Sequence, residues 1–167
     1  MILHLNQGKV EMAYKSVLDK YMADDTIMDL RISPKDDMVL VRGLNNILVY
    51  NRANERVIAS FTRPVDIPKE FKLPRSHYTD LVFTNAEFTH SGKFVIATIF
   101  RNIYLWEVTT NELVTTIQAP VGIIKEMIYS PKRSHLITHI EHCHEFQVWN
   151  LDEAVKPMNM LDKLTGA

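Results

Sequence analysis

Between His135 and Trp149 the chain reads HLITHIEHCHEFQVW, which gathers four of its seven histidines, its only cysteine and two glutamates. Imidazole, thiolate and carboxylate are the usual zinc ligands, and His142, Cys143, His144 and Glu145 stand in a row. The spacing argues against a zinc site. Zinc motifs place paired ligands two to five residues apart and repeat the pair at a distance, whereas these are adjacent and no second cysteine exists. Consecutive strand residues point to opposite faces, so only alternate members, His142 and His144, are placed to converge on one ion. Those two are the metal candidates. The plainer expectation is a solvated hairpin tip. Cys143 has no neighbouring Lys or Arg to activate it as a nucleophile.

Other chemistry is weaker. The carboxylate pairs Asp24-Asp25 and Asp36-Asp37 fall in predicted turns, where Asp is favoured for local hydrogen bonding rather than for proton transfer. There is no G-x-S-x-G, no P-loop and no G-x-G-x-x-G, and the chain holds only five glycines. The expectation is a protein that is not an enzyme and carries no cofactor.

The elements that would position such residues follow from composition and repetition. With 167 residues, 46% hydrophobic and 23% charged, the chain is long enough to bury a core and is too apolar for disorder. Nineteen basic residues balance twenty acidic ones, and the longest basic cluster is PKRSH at Pro131–His135, so neither nucleic acid nor an anionic membrane is an expected partner. Apolar runs last four to seven residues, far short of a membrane helix. A single cysteine and the lack of a basic-then-apolar leader point to a cytoplasmic location.

One pattern occurs three times. ISPKDDMVLVRGLNNILVYN (32–51) lies above FTHSGKFVIATIFRNIYLWE (88–107) without a gap: Ser33 on Thr89, Met38 on Phe94, Asn46 on Asn102, Tyr50 on Trp106. YSPKRSHLITHIEHCHEFQVWN (129–150) matches at both ends, through Ser130 and Trp149, and is two residues longer at the EHCH tip. Each copy reads as a short apolar strand, a polar turn, a β-branched strand, a tight turn and a strand ending in an aromatic; a polar turn and a fourth strand follow the first two. Four short antiparallel strands per unit is the plan of a propeller blade. Trp106 and Trp149 are 43 residues apart, within the usual WD-type period. Tyr50 and Trp106 are 56 apart, and the excess matches RPVDIPKEFKLPRSH (63–77), which reads as an inserted loop. The equivalent aromatics Tyr50, Trp106 and Trp149 are expected in the core rather than as a stacking platform for a ligand.

These residues resemble the WD40 repeat family, with its Ser-Pro or His-Ser-Gly-Lys turn after the first strand and an aromatic closing the third. The chain departs from the family in lacking the Gly-His pair that opens a repeat, and in placing Leu44, Phe100 and Cys143 where a turn aspartate is usual. What the resemblance implies is an all-β, partial WD40-like β-propeller of about three and a half four-stranded antiparallel blades. The divisions expected are 1–25, the end of a preceding blade with a possible helix over Met12–Met22; 26–62, a first blade; 63–78, the inserted loop; 79–118, a second blade; and 119–167, a third whose last strand is incomplete or at the terminus. In the third blade Leu136, Thr138 and Ile140 are expected on one face and Ile137, His135 and His139 on the other, both packed between blades.

The function implied is a non-enzymatic protein–protein interaction scaffold, a segment of a propeller in a larger cytosolic protein whose remaining blades are also partners. Divergent WD repeats behind a nucleotide-binding NACHT-type domain are similar in character. An alternative is therefore a regulatory or autoinhibitory propeller appended to an NTPase domain; a weaker one is a metal-binding His/Cys loop. Loop positions expected on an interaction surface are Arg42, Phe71, Arg75, Phe100 and Arg101.

Overall fold

The computed structural model of the chain describes residues 2–6, 9–13, 20–64, 81–120, 122–130, 132, 134–144 and 146–151, with side-chain burial described from residue 20 onward. Thirteen strands are present among them. β1 (Ile2–Asn6) and β2 (Lys9–Ala13) form an antiparallel hairpin. β3 (Asp29–Ile32), β4 (Met38–Arg42), β5 (Asn46–Asn51) and β6 (Arg56–Thr62) form one four-stranded sheet, paired in chain order. β7 (Asn85–Phe88), β8 (Phe94–Ile99), β9 (Asn102–Glu107) and β10 (Glu112–Gln118) form a second. β11 (Ile124–Ser130), β12 (His135–Ile140) and β13 (Phe146–Asn150) form a third sheet of three described strands. Every pairing is antiparallel.

Burial follows the stacking of these sheets. β8 and β9 carry runs of four or more consecutive buried residues because a sheet lies against each of their faces; β5 carries a run of four as well, covered by the second sheet on one face and at Leu48 by Met22 on the other. β13 alternates throughout, and β10 from Val114 onward, as half-covered strands do. One core lies between the first two sheets, where Leu40, Val49 and Phe61 meet Phe88, Ala97 and Trp106. Trp106 stacks on Phe61 at 5.2 Å and on Tyr104 at 5.3 Å between ring centroids. A second core joins Ile96, Ile103 and Leu105 of the middle sheet to Leu136 and Ile140 of the third.

The repeat is visible in the backbone bonds as well as in the letters. The Ser33 and Thr89 N–H groups donate to the carbonyls of Met38 and Phe94, both at 3.0 Å, closing the first turn of each unit. Their hydroxyls accept the N–H of the same residues, at 2.9 and 3.2 Å, which is why the position selects Ser or Thr. Arg52, Val108 and Leu151 donate to Asp37, Lys93 and Ser134 in three equivalent bonds of 2.9 to 3.0 Å. Glu55 and Asn111, each four residues beyond the third strand of its unit, both take positive φ.

One expectation needs correction. The third sheet has a sheet on one face only among the described residues: Leu136, Thr138 and Ile140 are buried, but His139 on the other face is exposed and Ile137 and His135 are half-buried. Of the possible helix over Met12–Met22, Met12 and Ala13 lie in β2, Lys20–Met22 are helical, and residues 14–19 fall outside those described. Among the described residues no helix is long and apolar enough to cross a membrane.

Candidate interaction site

The tight turns after β4 and β8 each tie their sheet to the next. Leu44 O accepts the Phe83 N–H at 2.8 Å, and Phe100 O accepts the Ile124 N–H at 2.7 Å. Asn45 O accepts from Arg63 and Arg101 O from Ala119, at 2.9 and 2.8 Å. The turn aspartate of the WD pattern is absent from the chain, yet a carboxylate still holds the first of these turns. Asp25 arrives from before β3 and accepts the backbone N–H groups of Leu44, Asn45 and Asn46 at 2.8, 2.9 and 2.8 Å, and the Asn46 side-chain amide at 3.1 Å. Burial pushes this carboxyl up, but the donors of Asn45, Leu44 and Asn46 together outweigh it and hold the group below its ordinary value. Nothing near Asp25 in the sequence signals this, since its partners lie about twenty residues away.

Three of the residues expected on a binding surface fall among those described. Arg42 ends β4 half-buried, and its Nη1 donates to Phe83 O at 2.7 Å across the seam between the first two sheets. Phe100, at φ 56°, packs partly against the first core, and Arg101 is half-buried beside it. Phe71 and Arg75 lie outside the described residues. His142, Cys143 and His144 are exposed at the β12–β13 tip, where His142 has φ 61° and the His139 ring nitrogen Nε2 pairs with Cys143 O at 3.1 Å. Among the described residues no three His, Cys, Asp or Glu side chains are grouped to hold a metal ion. Of the expected repeat positions, Ser33, Tyr50, Thr89 and Trp106 are buried, whereas Ser130 and Trp149 are half-buried. The Trp149 indole donates to Thr138 Oγ1 at 3.0 Å.

Two further features stand out that the sequence did not indicate. Between β3 and β7, Arg31 bridges Asp29 of its own strand at 2.9 Å and Glu87 of the next sheet at 3.2 Å. Burial raises the Glu87 carboxyl despite this pairing. At the opposite end of the seam between the second and third sheets lies an open cavity of about 230 Å³ with Phe94, Leu105 and Leu151 in its lining.

Comparison with known proteins agrees with this architecture. The chain aligns with a propeller described as the Cps50 (Swd1) β-propeller domain of Myceliophteria thermophila, with a TM-score of 0.60 and 17% identity over 74% of this chain and 40% of that one. It aligns with the RRP9 WD40 repeats at a TM-score of 0.59 and 17% identity, over 78% of this chain and 37% of that one. The fold is a partial WD40 β-propeller. No protein-family profile matches the chain. In sequence it is 27% identical over 115 residues to a protein of Acanthamoeba polyphaga mimivirus whose name describes it as a BTB/POZ domain and WD-repeat protein, covering 69% of this chain. The chain spans about a fifth of the length of that relative and about two fifths of the two propellers. None of these matches carries a NACHT domain in its name.

Proposed function

We propose that this WD40 segment is a non-enzymatic scaffold for protein–protein interaction, part of a propeller in a larger cytoplasmic protein. One observation supports this above the rest. On the outward face of the third sheet Phe146 is 68% and Val148 55% exposed, while the residues at the same repeat positions, Ile103 and Leu105 in the second sheet, are 1% and 2% exposed. Ile128 and Ile137 complete an apolar row with Val148, in register across β11, β12 and β13. Residues that bury themselves wherever a neighbouring sheet is present stand bare here, and an apolar surface of this kind is stable when another protein surface covers it. Leu30 and Ile32 repeat the situation at the first sheet: both are exposed, whereas their equivalents Ala86 and Phe88 are buried. The matches to WD40 propellers, a fold that is generally non-catalytic and typically an interaction scaffold, point the same way.

The experiment is native immunoprecipitation of the endogenous polypeptide with an antibody against this segment, read by mass on a denaturing gel. The expected result is a band several times heavier than 19.3 kDa, with other proteins eluting alongside it in fixed proportion. A lone band at 19.3 kDa with nothing bound would overturn the reading. The NTPase-regulator alternative has no observation of its own in the fold or the matches.

A further inference from the structure

We draw no further inference here: the strongest candidate, the apolar outward face of the third sheet on which Ile128, Phe146 and Val148 stand exposed, belongs to the interaction surface already described, and nothing in the structure shows what covers it.

Discussion

One carboxylate oxygen of Asp25, Oδ2, accepts both the backbone N–H of Asn46 at 2.8 Å and its side-chain amide at 3.1 Å, tying the segment before β3 to the turn that starts β5. With Leu44 and Asn45 also donating to it, this carboxylate occupies a small anion-binding nest of successive backbone N–H groups. The turn it holds is the one whose Leu44 and Asn45 carbonyls receive Phe83 and Arg63, so Asp25 acts indirectly on the seam to the second sheet. Replacing it with Asn puts an amide N–H₂ against the donors it must satisfy. Asp25→Asn is expected to lower stability by about 1–2 kcal/mol, at the modest end for bonds to a charged group because the site is partly open to water. Urea unfolding followed by tryptophan fluorescence measures it, and an unchanged midpoint would mean water replaces the carboxylate without loss.

The same group sets a pH dependence whose sign is fixed by its lowered pKa. A carboxyl that is more acidic folded than unfolded adds stability above its unfolded value, close to 3.9, and that stability is lost as pH falls through the folded value below it. Wild-type stability is therefore expected to drop more steeply below about pH 4 than that of Asp25→Asn, and the two curves converge in acid. Parallel curves from pH 6 down to the acid limit would show that other carboxylates dominate.

Gly43 is part of this arrangement for a steric reason. A Cβ built on it meets the Asp25 carboxylate oxygen and comes within 2.6 Å of Met22 Cε. The methionine end can swing away, but the carboxylate is fixed by its donors. Gly43→Ala is expected to cost about 1–3 kcal/mol, the range for forced overpacking. In the double variant with Asp25→Asn the two costs should fall short of additive, because the second change damages an arrangement already loosened. Strict additivity in a double-mutant cycle would separate Gly43 from Asp25.

Much of this architecture is legible from letters alone, and the reasons are local. Ser33 and Thr89 announce a turn because their hydroxyls bond the backbone five residues on, and Tyr50 and Trp106 fall at one repeat position, where both are buried. What escapes is anything whose partner lies far along the chain. Asp25 reads as an ordinary turn aspartate, and Arg42 reads as a loop cation available to a partner, because Asn46 and Phe83 are 21 and 41 residues away. His139 shows the opposite failure. Alternation places it correctly opposite Thr138, but whether that face is covered depends on a neighbouring sheet that the strand's own residues do not encode.

The third sheet offers a second internal check. Thr138 is fully buried, and its Oγ1 accepts the Trp149 indole N–H from the neighbouring strand. Thr138→Val keeps the shape and removes the acceptor, leaving a half-buried indole N–H unpaired, for an expected loss of about 1 kcal/mol. Trp149→Phe removes the donor and some packing together. Thermal unfolding of the two variants and their combination should give a coupling near that same value. No coupling would mean that water serves the indole equally well.

Arg42 separates the two roles its chemistry allows. A guanidinium on an interaction surface would, on truncation, weaken partner capture and leave unfolding untouched. The geometry places it otherwise: half-buried, with Nη1 2.7 Å from Phe83 O, it bonds one sheet to the segment leading into the next. Arg42→Ala leaves that carbonyl without its charged donor and opens space beside the first core, so a loss of about 1–3 kcal/mol is expected. Arg42→Lys keeps the charge but reaches with a single ammonium in place of a planar fork, and should recover only part of it. Hydrogen exchange reports where the loss falls. Protection should weaken at Phe83 and Thr84, whose N–H groups bond Leu44 O and Thr98 O, while the β8–β9 amides hold until global unfolding. If stability is unchanged and only partner capture falls, Arg42 belongs to the surface after all.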